Sequence, residues 1–145
     1  MKRDNFINAC NNSLKGVRTE YSFNQEKMAY ILGLSKKTLV EIEKGRSSLG
    51  WSGSVTLCTI FADSSIIKEV FGGDAVKIIR TMAFEDSEPQ YRHAHTTRIW
   101  WSTIYEKDGY VIEQNIVSQH YRLSAPDNSI LASSFNIDDL YKLLK

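Results

Sequence analysis

NQEKMAYILGLSKKTLVEIEKGR, residues 24–46, places two short amphipathic segments on either side of one glycine. Asn24 is a residue type that caps a helix, and Gly33 accepts the left-handed backbone that ends one. Ser35 caps the next helix and Gly45 ends it. At about 100° per residue, Leu39 and Ile42 of the second segment point inward. Lys37, Val40, Glu41 and Lys44 then point outward, with Lys36 at the leading edge of that face. Two short helices around a tight turn, the second outwardly charged, are thus predicted. Val40 stands out among the charges. It is either a partial packing contact or an apolar group suited to a thymine methyl.

Working outward, Phe6, Cys10, Leu14, Val17 and Tyr21 recur at spacings of three and four, the stripe of a preceding helix. Downstream, Val55, Leu57, Cys58 and Phe61 mark a helix over 54–62. Asp63 or Ser64 starts a fifth through Ile66, Ile67, Val70 and Phe71, stopped by Gly72 and Gly73. Residues 1–72 are therefore predicted as a five-helix, all-α domain.

After Gly73 the organisation changes. Residues 74–84 keep helical spacing, and the polar stretch EDSEPQYRHAH, with Pro89, argues against helix. The period then becomes two. Asp108-Gly109 is a hairpin signal that pairs Lys107 with Tyr110, Tyr105 with Ile112, Thr103 with Gln114, Trp101 with Ile116 and Ile99 with Ser118. That register gathers Ile99, Trp101, Tyr105, Ile112 and Ile116 on one face. A third strand over 130–135 follows the turn Pro126-Asp127-Asn128. Asn136 caps a last helix with Asp138 and Asp139 in its first turn and Leu140, Leu143 and Leu144 as its apolar face. Residues 73–145 are predicted as helix, three-stranded antiparallel sheet and helix, which makes the whole chain α+β.

At 145 residues and 42% hydrophobic, the chain is long enough to bury a core without disulfides or metals. Cys10 and Cys58 lie in apolar helical patterns without a CxxC spacing, which points to buried free thiols in a reducing cytoplasm. No stretch has the composition of a signal peptide or a membrane span, so a soluble protein of the cytoplasm, with no membrane partner, is expected. The net charge of +1 hides an asymmetry. Residues 1–62 carry nine Lys/Arg against five Asp/Glu, a net +4, which leaves −3 for the remainder. A basic N-terminal half suits a polyanion partner.

Residues 14–61 resemble the Cro/repressor-type helix-turn-helix family, also called the XRE family. The matching residues are Leu14, Val17 and Arg18, then Gln25 and Ala29, the turn Gly33-Leu34-Ser35, and Thr38, Leu39, Ile42, Glu43, Gly45 and Arg46. The resemblance implies a lambda-repressor-like domain that binds double-stranded DNA and regulates transcription as a homodimer, more often as a repressor. It implies that Lys36, Lys37 and Glu41 face base edges, lysine donating to guanine and glutamate accepting from cytosine, with Val40 beside them. Gln25 and Ser35 would hold phosphates, with Lys44 and Arg46 adding to that grip. Arg18 and Glu43 would form a structural ion pair between the first helix and the recognition helix. The exit SSLGWSGS departs from the family, which often has proline there, and Trp51 is read as a packing residue.

Residues 73–145 match no family pattern. Trp100, Trp101 and Tyr105, with other aromatics, suit a sheet core, a dimer surface or an effector pocket for a protein or small molecule. His93, His95 and His120 have no supporting carboxylate pattern, so no metal or cofactor is assigned. The chain lacks GxxxxGK[ST], GxSxG and HExxH, and an enzyme is not expected. Two other functions stay open: an antitoxin-like or immunity-type interaction module with autoregulatory DNA binding, and a repressor that senses a small molecule or metal.

Overall fold

The computed structural model describes residues 1–85 and 98–145, which fold as two compact units, Met1–Tyr91 and Arg92–Lys145. The first unit is helical: α1 Arg3–Glu20, α2 Gln25–Leu32, α3 Lys36–Glu43, α4 Gly50–Ile60, α5 Ser65–Val70 and α6 Ala75–Ala83. Local chemistry sets most boundaries. Asn24, Ser35, Ser64 and Asp74 each accept a hydrogen bond from the backbone N–H three residues on, and Gly33 ends α2 at φ +72°. Phe6, Cys10, Leu14 and Val17 bury the inner stripe of α1 completely, against Leu57 and Cys58 of α4 and Ile67 of α5. Cys10 and Cys58 are buried free thiols with their Sγ atoms 3.6 Å apart.

Two boundaries differ from the sequence reading. Helix α4 begins at Gly50 rather than at residue 54, because α1 supplies its cap: Asn11 Oδ1 accepts from Leu49 N at 2.8 Å. Trp51 thus lies on a helix, edge-on to Phe6 at 5.6 Å and under the Arg3 guanidinium at 4.3 Å, as a packing residue. Helix α6 belongs to the helical core, where Ala75, Ile79 and Met82 are buried, so among the described residues the first unit holds six helices and does not end at residue 72.

The second unit is a four-stranded antiparallel sheet in the order β1-β2-β3-β4, with β1 Trp101–Lys107, β2 Tyr110–Asn115, β3 Tyr121–Ser124 and β4 Ile130–Ser134, followed by helix α7 Ile137–Leu143. The chain is α+β, with one strand more than expected. Asp108 (φ +54°) and Gly109 (φ +84°) make the anticipated tight turn, and Lys107 pairs with Tyr110 and Tyr105 with Ile112. Beyond Tyr105 the register shifts at a bulge containing Ile104: Thr103 faces Glu113 and Trp101 faces Asn115, not Gln114 and Ile116. One extra residue reverses the facing of everything before it. Strand β2 also stops at Asn115, whose Oδ1 accepts from Val117 N and Ser118 N and turns the chain back into β3. The expected apolar face therefore dissolves: Ile99 is 79% exposed and Ile116 46%, while Trp101 moves to the opposite face.

The core of the second unit is small: Ile112, Leu123 and Leu140 are buried, with Tyr105, Tyr121, Ala132, Ile137, Tyr141 and Leu144 packed around them. Leu143, expected inside, is 60% exposed. With so few buried side chains, Leu140→Ala is expected to cost about 2–5 kcal/mol and to speed amide exchange in β2 and β3 by roughly 30-fold or more. Native-state hydrogen exchange on the intact chain checks this. Among the described residues no helix is long and apolar enough to cross a membrane.

Candidate nucleic-acid interface

The turn between α2 and α3 is built from backbone. Gly33 N–H donates to Tyr30 O at 3.2 Å and Leu34 N–H to Ala29 O at 2.8 Å, closing the end of α2 and directing the chain into the Ser35 cap. Ala29, 2% exposed, and Met28 lie on the inner side of α2; Leu39 and Ile42 lie on that of α3. This burial fixes which face of α3 is left outward. Lys36, Lys37 and Lys44 are exposed, and Val40 and Glu41 are half-buried between them.

Arg18 holds α3 to α1. Its Nε donates to Glu43 Oε1 at 2.6 Å, Nη2 to Glu43 Oε2 at 3.3 Å, and Nη1 to Phe23 O at 3.1 Å. Gln25 Nε2 donates to Glu43 Oε2 at 2.8 Å, so three elements meet on one carboxylate whose side chain is 6% exposed. Burial works to raise the Glu43 pKa. Hydrogen bonds from Arg18 and Gln25, with the guanidinium charge, outweigh it and hold the carboxyl below the ordinary glutamate value.

The expected phosphate residues divide. The Gln25 side-chain amide is committed to Glu43, which leaves its backbone N–H at the first turn of α2 as the group that faces outward chemistry. The Ser35 hydroxyl accepts from Thr38 N at 3.1 Å and donates to Thr38 Oγ1 at 2.8 Å, so it is a helix cap first. Lys44 and Arg46 are both exposed.

On this face two ion pairs form for which the sequence held no expectation. Lys36 Nζ lies 3.3 Å from Glu26 Oε1, and Arg46 Nη1 lies 3.7 Å from Glu41 Oε1. Residue spacing carries no signal for the first, because it crosses the α2–α3 turn. Asn24, Gln25, Glu26 and Lys36 line a concavity where the starts of α2 and α3 come together. The first-turn N–H groups of a helix have no intrahelical acceptor; Asn24 and Ser35 cap one each, and Lys36 adds a cation at this place. Among the described residues Lys37 and Lys44 have no anionic partner. The outward face thus keeps a positive excess despite its carboxylates.

The aromatic trio of the second unit does not share one surface. Tyr105 packs edge-on against Tyr141 of α7 at 5.4 Å, on the core side. Trp101 lies on the other face, with Arg122 Cζ 3.7 Å from its ring centre and His120 at 5.1 Å. Trp100 is half-buried beneath Arg98, at 4.8 Å. His93 and His95 fall outside the described residues; the His120 ring meets Ser118 Oγ through Nδ1.

Comparison of the chain with protein-family models, with curated proteins and with solved structures finds no match.

Proposed function

We propose that this protein is a sequence-specific DNA-binding regulator of transcription, a repressor working in the cytoplasm, and that it reads a near-palindromic operator as a homodimer. The observation that carries this function is the α2–turn–α3 unit itself. Its inner residues Leu39 and Ile42 are buried, its position is fixed by the Arg18–Glu43–Gln25 network, and its outer face offers Lys36, Lys37, Val40 and Glu41 in a row. An exposed helix held rigidly by its other side is the form that major-groove readout needs, because base contacts demand fixed register. The N-terminal turns of α2 and α3, with Lys44 and Arg46, supply groups for the flanking phosphates.

Selection of bound sequences from random duplex DNA at fixed salt tests the function. The expected product is two half-sites spaced about one helical turn, roughly 34 Å, apart. Binding without sequence enrichment, as charge attraction alone gives, would refute it. A protein-interaction module then becomes the better account, favoured by the exposed apolar side chains Ile99 and Phe135 of the second unit, 79% and 78% exposed.

A further inference from the structure

The sheet face opposite α7 carries a second cluster of charged and polar groups. Glu113 of β2 and Arg122 of β3 are direct cross-strand partners, and Arg122 Nε donates to Glu113 Oε2 at 2.8 Å. The bulge at Ile104 brings Trp101 onto this same face, under the guanidinium at 3.7 Å. Arg122 is therefore fixed twice, by its edge and by its plane. Among the described residues nothing accepts from its Nη1 and Nη2 groups, and nothing donates to Glu113 Oε1. These groups border a concavity of about 500 Å³ lined by Val111, Glu113, Arg122, Ser124, Asn128 and Ile130, within the range of small-molecule sites. The Ser124 hydroxyl and the Asn128 amide have no side-chain hydrogen bond among the described residues. Val111 and Ile130 are apolar walls.

We propose that this concavity binds a free α-amino acid with an aliphatic side chain. The argument is charge complementarity. A guanidinium and a carboxylate held side by side match a carboxylate and an ammonium separated by one carbon, and both partners remain neutral overall. A simple carboxylate meets Glu113 as a like charge, and a simple amine meets Arg122. A peptide end offers only one of the two charges. The branched side chain of leucine, isoleucine or valine lies against Val111 and Ile130. A purely structural cross-strand pair would stabilise the sheet without any of this selectivity.

Calorimetric titration of the full chain tests the site and is independent of DNA binding. L-leucine, L-isoleucine or L-valine is expected to bind saturably, one per chain. For the one that binds best, the analogue lacking the amino group and the analogue lacking the carboxylate are each expected to bind at least roughly tenfold more weakly. Arg122→Lys keeps the charge but loses the fork, and is expected to weaken binding by a similar factor while the melting temperature stays near that of the wild type. No saturable binding by any of the three amino acids overturns the proposal, as does equal binding of either analogue. Those comparisons use the wild-type chain, so they decide the matter even if the variant folds poorly. A folded Arg122→Lys that binds like the wild type also overturns it.

Discussion

Glu43→Ala is expected to cost about 3–5 kcal/mol and to lower the melting temperature of the helical unit by at least about 10 °C. The loss exceeds that of an ordinary surface pair because the variant leaves Arg18 half-buried, at 16% side-chain exposure, beside a missing carboxylate. Gln25 Nε2 loses its acceptor in the same step. Helical circular dichroism against temperature measures the effect. Replacing both partners, Arg18→Leu with Glu43→Leu, is expected to recover much of the loss, since two apolar side chains leave no stranded charge. The effect also has a defined pH course. Glu43 titrates below the ordinary glutamate range when folded, so its stabilisation is complete above the unfolded value of about 4.3 and is lost as pH falls through the folded one. The gap between wild type and Glu43→Ala is therefore constant from neutral pH down to about 5 and closes below that. An equal gap at acid and neutral pH would show that Glu43 acts through packing alone.

Local chemistry was legible in the sequence, and partners distant in the chain were not. The caps at Asn24, Ser35 and Asn136, the left-handed Gly33 and the Asp108-Gly109 turn depend on residues within a few positions, and each lies where the sequence placed it. So do the buried Leu39 and Ile42, because a helix converts spacing into facing. The bulge at Ile104 has no such local signal. A period-two pattern reads equally well through a bulge, and the one-residue slip sent Trp101 to the wrong face. Strand β3 is only four residues, Tyr121–Ser124, and alternates inward Tyr121 and Leu123 with outward Arg122, too short a run to separate from a loop. At the candidate interface the exposed lysines were legible. The commitment of Gln25 to Glu43 was not, because it joins residues 18 positions apart that only the fold brings together.

On the proposed function, removing Lys36 and Lys37 together is expected to weaken binding by about 2–6 kcal/mol for each half-site of the selected operator, roughly 30-fold to 10⁴-fold per half-site, if each lysine makes one specific base contact of about 1–3 kcal/mol. The more telling change is in selectivity. The Lys36→Ala, Lys37→Ala chain should lose its half-site consensus yet retain salt-sensitive attraction to any duplex, because Lys44, Arg46 and the helix N–H groups remain. The opposite variant, Lys44→Ala with Arg46→Ala, should weaken all sequences nearly equally and reduce the salt slope by about one for each phosphate no longer neutralised. Fluorescence anisotropy against operator and scrambled duplex over a salt series separates the two patterns; a double lysine variant that keeps its consensus would remove base readout from α3. The pre-formed pairs refine this expectation. Lys36 must leave Glu26 to reach a base, at small cost because the two side chains are 56% and 72% exposed. Glu26→Gln frees the lysine and removes a charge that phosphates repel, so it should tighten binding at low salt. Glu41 faces a sharper choice, since the carboxylate near Arg46 at 3.7 Å is the same one that would accept from cytosine. On the proposed function, Arg46 would exchange it for a phosphate and leave the carboxylate free for the groove, which would couple phosphate contact and base contact through one side chain. Glu41→Gln keeps the shape but would weaken both links, and on the proposed function its effect on the consensus should be confined to the one base pair assigned to Glu41.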